Sequence, residues 1–248
     1  MLDEGEYHKI KDWRTRVKKN QLYYPPIATT PSQLQLNTYL CNLADTIMNE
    51  KRTQEEKSEI GFIVDNVSSL FKYLFPANDV LLCKWEKAST SNKNNECKKI
   101  RTDFVIMANG LEVGCGEVKT ANTSFYLLEE DRARMAETLK RQLHVRMMKS
   151  KKTKEFVSFG ILFDGFKIEL YTMTFEAEKT PPYQLYEAEK LTLPSSPETY
   201  VYFEETIEHL ISFKTSIISS MPEETDILEP YIYHDYIHLL KPTMAIKN

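Results

Sequence analysis

The chain has 248 residues, 42% of them hydrophobic, and its 32 basic and 36 acidic side chains leave a formal net charge of −4 at pH 7. This composition is typical of a globular protein that can bury a sizeable core. The four cysteines show no Cys-x-x-Cys spacing, and no apolar run reaches the roughly 20 residues of a membrane helix, which excludes a zinc cluster and a membrane-spanning chain. With no hydrophobic leader before the acidic N-terminus, we expect an intracellular protein, nuclear or cytoplasmic, without a membrane partner.

Charge is distributed unevenly along the chain. Residues 1–154 contain 26 Lys and Arg against 20 Asp and Glu, whereas residues 155–248 contain 6 against 16. Two basic groups stand out: Lys84, Lys87, Lys93, Lys98, Lys99 and Arg101, and then Lys140, Arg141, Arg146, Lys149, Lys151, Lys152 and Lys154. Such local charge can attract a polyanion even on an acidic protein, and a solvated helix face with its loop is the alternative. The acidic C-terminal third is a candidate surface for a protein partner or a homodimer.

Apolar periodicity predicts three helices before the first strand. The first, over residues 7–21, is polar and basic and is expected to be peripheral. The second runs over residues 32–49, with apolar side chains at spacings of three and four. Thr53-Gln-Glu-Glu56 is typical of a capping box that opens the third helix, which ends before Pro76. Its apolar face consists of Ile60, Ile63, Val67, Leu70 and Leu74.

Short strands and one long helix are predicted next. The strands are residues 80–85, 101–107 and 111–119, followed by a helix over 124–149, a hairpin of 156–163 with 167–175, and a final helix over 200–221. Asp164-Gly165 is the turn signal of that hairpin. Residues 176–198 form an extended connection that can include an edge strand.

Two neighbouring predicted strands are apolar enough to be buried, yet each carries charged side chains. Asp103 lies in one strand, and Glu117 and Lys119 end the next. Buried charges are costly unless they are paired, protonated or bound to a metal ion. Glu-x-Lys also occurs at residues 55–57 and 96–98, but only the third copy ends an apolar strand. The pattern favours a divalent-cation site for phosphodiester chemistry, and a partly buried ion-pair network is the alternative.

These residues and the order of elements resemble the PD-(D/E)xK phosphodiesterase superfamily, to which many restriction endonucleases belong. The resemblance covers residues 54–175, with Thr102 where a Pro often precedes the Asp. It implies an α/β fold with a mixed central sheet flanked by helices, and a restriction-endonuclease-like core. We expect residues 1–53 to be an N-terminal helical extension and residues 176–248 a C-terminal extension packed on the core.

The resemblance also implies a mechanism, namely metal-dependent hydrolysis of nucleic acid, DNA rather than RNA. Asp103 and Glu117 are expected to bind Mg²⁺ or Mn²⁺, with the carbonyl of Val118 as a third ligand. Lys119 is expected to orient or help deprotonate the attacking water. The superfamily often adds an acidic residue from the preceding helix, and Glu59 is our choice because Glu56 is occupied in the capping box.

A shared site requires Asp103 and Glu117 on one face of the sheet. A two-residue turn at Asn109-Gly110 would pair Asp103 with Gly116 and put Glu117 on the opposite face. We therefore predict a three-residue loop in which Gly110 supplies the left-handed conformation. A bulge within residues 114–116 would have the same effect with the shorter turn.

Other readings of the sequence remain open. The nuclease fold can persist as a noncatalytic module that binds nucleic acid or protein. Cys115, between two glycines, superficially resembles a nucleophile, although a small buried cysteine explains it better. His234 and His238 share a helical spacing but lack the Glu of a His-Glu-x-x-His motif. Lys140 and Gln142 of the long helix can approach the site, although surface helices carry such residues anyway.

Overall fold

A computed structural model describes residues 2–53, 58–76, 80–85 and 101–241. Within these ranges the strands are β1 Leu81–Trp85, β2 Phe104–Ala108, β3 Leu111–Lys119, β4 Val157–Asp164, β5 Lys167–Phe175 and β6 Tyr183–Thr192. They form one mixed sheet in the order β1-β2-β3-β4-β5-β6. All neighbouring pairs are antiparallel except β3 and β4, which are parallel. The predicted mixed central sheet is thus confirmed, and β6 is the edge strand that the sequence allowed in residues 176–198.

Helices cover both faces of the sheet. They are α1 Glu4–Lys18, α2 Pro31–Thr53, α3 Glu59–Phe62, α4 Ser68–Leu74, α5 Phe125–Met147, α6 Phe203–Ser219 and α7 Tyr233–Tyr236. The larger core lies under α1 to α4 and α6, and a second core lies between the sheet and α5. Helix α5 connects the parallel strands β3 and β4, as a parallel pair requires a crossover. The predicted α/β class with helices on the sheet is confirmed.

Several predicted boundaries agree closely with the structure. Ser124 caps α5, its side chain accepting a hydrogen bond from the backbone N–H of Leu127. The β4–β5 hairpin turns at Gly165, whose φ of 55° is left-handed. A Cβ at this glycine would lie 2.7 Å from the Cβ of Ala121, so the turn packs tightly against the segment that leaves β3. None of the described helices is both long and apolar enough to cross a bilayer.

The first helix is not peripheral, contrary to the sequence prediction. Trp13 is fully buried, and its indole N–H donates to the carbonyl of Leu40 at 2.9 Å. Its ring contacts those of Tyr200 and Phe203, at centroid distances of 5.6 and 5.0 Å. A charged helix was mistaken for a surface helix because only a few of its residues point inward. Helix α1 therefore joins the N-terminal and C-terminal regions in one core.

The predicted capping box at Thr53 is also wrong. Thr53 is the last residue of α2, residues 54–57 lie outside the described residues, and α3 is capped instead by Ser58. A π-helical segment, Ile63–Val67, separates α3 from α4. Its wider turn breaks the regular periodicity, so Ile60, predicted to face the core, is 69% exposed.

The hairpin of β2 and β3 reaches the predicted alignment by a different route. The turn has two residues, Asn109 and Gly110, with φ of 48° and 77°, so the predicted three-residue loop is wrong. The register then shifts, because Met107 pairs with Glu112 whereas Ile106 pairs with Gly114, which leaves Val113 without a partner in β2. This shift is a β-bulge, which reverses the alternation of side chains along β3. It lies slightly earlier in the chain than residues 114–116, where the alternative prediction put a bulge.

Candidate functional site

The bulge decides which face of the sheet carries the charged end of β3. Val113 and Val118 both lie in the core under the N-terminal helices, although an odd number of positions separates them. Cys115 belongs to the opposite core, beneath α5. Because side chains alternate beyond the bulge, Glu117 and Lys119 share the α5 face with Cys115. Without the bulge, Glu117 would point into the larger apolar core.

Asp103 lies directly before β2, on the same face as Glu117. Phe104, the first residue of β2, pairs with Gly116, and extending this antiparallel register by one position sets Asp103 opposite Glu117. A Cβ at Gly116 would lie 2.2 Å from the Phe104 ring, so only glycine allows the strands to pack this closely. The structure therefore brings together the two carboxylates that the sequence predicted to share a site.

One carboxylate oxygen and one carbonyl are directed to the edge between β2 and β3. Asp103 Oδ2 accepts a hydrogen bond from the backbone N–H of Val118 at 2.7 Å. On the other side of β3, the backbone N–H of Gly165 donates to the carbonyl of Lys119 at 2.8 Å. Successive backbone groups of a strand point to opposite edges, so the Val118 carbonyl points towards Asp103. The role of the Val118 carbonyl as a metal ligand stays a prediction.

Glu117 is a buried carboxyl group whose burial is only partly offset by nearby positive charges. Its side chain is 3% exposed, and Oε1 has no hydrogen-bond partner among the described residues. Burial, together with the charges of Asp103 and Asp131, raises the pKa of Glu117 to about 9, against the opposing effect of Arg134 and Lys119. At neutral pH the carboxyl is therefore protonated unless additional positive charge is supplied.

Lys119 connects β3 to two helices. Its Nζ lies 3.1 Å from Glu59 Oε2 of α3 and 3.9 Å from Asp131 Oδ2 of α5. Burial acts to lower the pKa of Lys119, but the hydrogen bond to Glu59 and the charges of Asp131 and Asp103 outweigh it and raise the pKa. The ammonium group is thus held in its charged form. Glu59 thus contacts Lys119, and its role as a metal ligand stays a prediction.

Two site residues on α5 were missed by the sequence analysis. Asp131 is 1% exposed and forms an ion pair with Arg134 one turn later. Asp131 lies three residues after Leu128 and four before Met135, so it is on the buried face of α5. A carboxylate within an apolar helical stripe was the signal that could have identified it. We call Glu59, Asp103, Glu117, Lys119, Asp131 and Arg134 the site cluster.

The site cluster is suited to a divalent cation by its charge. It contains four carboxylates and two cationic groups, a formal charge of −2 when all are ionised. No group of three or more His, Cys, Asp or Glu side chains within the described residues is arranged to hold a metal ion. Mg²⁺, however, commonly uses only one or two protein carboxylates and retains several waters. The unpartnered oxygen of Glu117 beside Asp103 fits that smaller requirement.

Gln142 and Lys140, the two residues of α5 that the sequence analysis considered for the site, have other contacts in the structure. Gln142 is fully buried and donates to the Gly114 carbonyl at 3.2 Å, which ties α5 to the sheet. Lys140 lies over the ring of Tyr183, 4.7 Å from its centroid. Gln142 thus has a structural role, and Lys140 contacts β6 rather than the site cluster.

The basic stretch at the end of α5 is bound within the fold. Lys152 and Lys154 pair with Asp226 and Glu223 at 2.5 Å each. Arg146 is 3% exposed and donates to the carbonyls of Val157 and Ser220. Several of these cations bind the C-terminal region of the chain. This weakens the prediction that the basic stretch attracts a polyanion such as nucleic acid. Of the other basic group, Lys87, Lys93, Lys98 and Lys99 lie outside the described residues.

The structure also weighs against the alternative nucleophile and histidine site. Cys115 is fully buried, and burial raises the pKa of its thiol well above the ordinary value. A thiol that resists ionisation is a poor nucleophile. His234 lies in α7 and His238 in the turn after it, and the described residues contain no metal-binding group that includes them.

Comparisons with protein families, with curated proteins and with solved structures found no match to this chain.

Proposed function

We propose that this protein is a divalent-metal-dependent nuclease that hydrolyses phosphodiester bonds of nucleic acid, with DNA as the expected substrate. One observation carries the proposal: Asp103 and Glu117 meet on one sheet face beside Lys119, with Glu117 buried and one of its oxygens unpartnered. In its ionised form such a buried carboxylate destabilises the fold unless a cation compensates its charge, and a divalent cation at the site would do so.

The order of elements around the site supports the same proposal. Helix α4 precedes three antiparallel strands, β1 to β3, and α5 then leads to β4, which is parallel to β3. This is the order on which the resemblance to the PD-(D/E)xK superfamily was based. The proposal gives Asp103, directly before β2, and Glu117 and Lys119 of β3 the roles of that superfamily's Asp and Glu-x-Lys.

The residues that would hold the cation follow from the geometry. Asp103 and Glu117 supply carboxylate oxygens, and the Val118 carbonyl points to the same edge. Glu59, which lies 3.1 Å from Lys119, is the additional acidic ligand from α3. A bound Mg²⁺ or Mn²⁺ would activate a water molecule and stabilise negative charge on the phosphate.

Lys119 acts in this proposal as a hydrogen-bond donor. Its raised pKa keeps the ammonium protonated at neutral pH, so it is not suited to abstract a proton. A protonated lysine at this position orients the attacking water and offsets charge on the nonbridging phosphate oxygens. Asp131 and Glu59 hold its Nζ at the end of β3 from two sides.

A cleavage assay tests the proposal. Purified protein is incubated with labelled single-stranded, double-stranded and branched DNA and RNA in Mg²⁺ or Mn²⁺, with EDTA as the metal-free control. We expect cleavage that EDTA abolishes and that Asp103→Ala and Glu117→Ala both lack. Glu229→Gln, which removes an exposed carboxylate in the C-terminal region, is the matched control and should cleave at the parental rate.

Two outcomes would contradict the proposal. Cleavage by both alanine variants at the parental rate would show that these carboxylates are not the ligands. Binding to a nucleic acid of the panel with no cleavage in either metal would instead support a noncatalytic module.

A further inference from the structure

The four arginines of α5 differ in how their guanidinium groups are used. Arg132 donates from Nε and Nη2 to the two carboxylate oxygens of Glu169, at 2.8 and 2.6 Å, and also pairs with Glu129. Arg141 donates from Nε to Glu137 at 2.9 Å, and both are buried. Arg146 binds backbone carbonyls. These three are committed to contacts within the protein.

Arg134 is different. It forms an ion pair with Asp131, but its Nε is buried and has no hydrogen-bond partner among the described residues. Its side chain is nevertheless 38% exposed, so part of it is open to solvent. Buried donors in folded proteins are nearly always satisfied, and an unsatisfied one requires an explanation.

The guanidinium group of Arg134 also lies close to the proposed metal ligands. Its charge acts on Glu117, and its partner Asp131 lies 3.9 Å from Lys119 Nζ. Arg134 and Lys119 therefore both pair with one carboxylate, that of Asp131, and both charges act on Glu117. Phosphate is the ligand chemistry that this arrangement fits, because a guanidinium group can bind two of its oxygens at once.

We propose that Arg134 binds a phosphate oxygen of the nucleic-acid substrate next to the cation-held phosphodiester. This inference rests on the proposed nuclease function and adds a substrate-binding residue to it. Asp131 holds the guanidinium group through one side and leaves the remaining N–H donors for the substrate. Arg134 thereby contributes substrate affinity and transition-state charge stabilisation, while Asp103 and Glu117 bind the cation.

A structural role is the competing explanation, since Arg134 compensates the buried charge of Asp131. The two roles differ in what a substitution changes. A purely structural arginine would affect thermal stability or cation affinity. A substrate-binding arginine affects nucleic-acid affinity and turnover while cation binding is preserved.

The experiment compares Arg134→Gln and Arg134→Lys with Arg132→Gln, a matched control two residues earlier on the same helix. Cleavage is measured in Mg²⁺, and binding of a labelled oligonucleotide is measured by fluorescence anisotropy in Ca²⁺, an oxygen-binding cation of different preferred geometry. Mn²⁺ affinity is measured by calorimetry without nucleic acid, and the unfolding temperature is recorded for every variant.

We expect Arg134→Gln to lower kcat/KM by about 100-fold, the usual consequence of losing one donor to a developing negative charge. Oligonucleotide affinity should fall at least about 10-fold, whereas Mn²⁺ affinity stays the same or increases, because a positive charge beside the ligands is removed. Arg134→Lys should recover part of both losses, since it restores charge without the bidentate fork. Arg132→Gln should keep parental affinity and cleavage.

Each contrary result has a distinct meaning. An active parental enzyme with an equally active Arg134→Gln variant overturns the inference and leaves the proposed nuclease intact. Loss of Mn²⁺ affinity in Arg134→Gln would show a structural role and also overturn it. Parental binding without cleavage, weakened in Arg134→Gln, overturns the nuclease but supports the arginine contact. Absence of parental binding and cleavage overturns both.

Discussion

Two groups of charged side chains, each with buried members, are built in opposite ways in this molecule. In the site cluster, four carboxylates face two cations, and an oxygen of Glu117 and the Nε of Arg134 remain unpartnered among the described residues. At the end of α5, in contrast, Arg146 and Lys152 are bound by C-terminal acceptors and by an aspartate. We call this second group the C-terminal clasp: Arg146, Lys151, Lys152, Lys154, Ser220, Glu223 and Asp226.

The difference teaches which charges are expected to serve stability and which serve function. Buried charge that is fully hydrogen-bonded can hold distant segments together, as the clasp holds α6 and the C-terminal region to α5. Buried charge that lacks a partner costs free energy, and a fold retains it where a ligand completes it. The same comparison predicts that substitutions in the two groups have separable effects.

The largest effect is expected from Glu117→Gln. The substitution keeps the shape of the side chain but removes the charge needed to hold a divalent cation, so cleavage should fall by at least about 1000-fold. Without metal at pH 7 the variant should be more stable than the parent, because the native carboxyl, with its pKa raised to about 9, has to take up a proton on folding that the glutamine amide does not need. Single-turnover cleavage and thermal unfolding in EDTA measure the two quantities. A variant that unfolds much earlier than the parent would mean that Glu117 is a structural residue.

The reverse result is expected from Arg146→Met. The guanidinium group is 3% exposed and donates to Val157 and Ser220, so its loss leaves two acceptors without their donor. We expect the free energy of unfolding to decrease by about 3 kcal/mol, the cost of breaking charged hydrogen bonds in a buried site. Cleavage per folded molecule should be unchanged below the new unfolding temperature. Urea unfolding monitored by circular dichroism tests this, and a change in cleavage without a change in stability would contradict it.

Only part of the site cluster could be predicted from the sequence. Asp103, Glu117 and Lys119 could be identified because period-two alternation and the Glu-x-Lys spacing are local properties of strands. The route by which they meet was not predicted, because the bulge at Val113, where the pairing shifts between Met107 and Ile106, depends on how the whole hairpin packs. Local turn preference favoured Asn109-Gly110 correctly, and rejecting that turn was the error.

Partners that are distant in the chain were harder to predict. Lys152 and Lys154 looked like a free basic surface because Asp226 and Glu223 lie about 70 residues later. Asp131 was overlooked because it interrupts an apolar stripe whose other members suggested only packing. Side-chain pairing across elements is set by tertiary structure, so composition alone could not distinguish bound cations from available ones.

A third prediction concerns pH and sharpens the difference between the groups. Since the pKa of Glu117 is raised to about 9, the native state binds one more proton than the unfolded state at pH values between the ordinary carboxyl pKa and 9. This contribution to stability is complete at low pH and is lost as the pH rises towards 9, with a slope of at most about 1.4 kcal/mol per pH unit. In EDTA the parental free energy of unfolding should therefore decline over this range relative to Glu117→Gln. Parallel curves for the two proteins would contradict the protonated state of Glu117.

The smallest effect is expected at the rim of the clasp. Lys154 and Glu223 form an ion pair at 2.5 Å, but their side chains are 35% and 63% exposed. Water screens such a pair, and fixing two long side chains offsets most of the attraction. Lys154→Ala should leave the unfolding temperature within experimental error of the parent, and the double variant with Glu223→Ala should show no coupling. A measurable coupling would mean that the clasp extends to its exposed rim, whereas its absence confines the stabilising contacts to the buried side around Arg146.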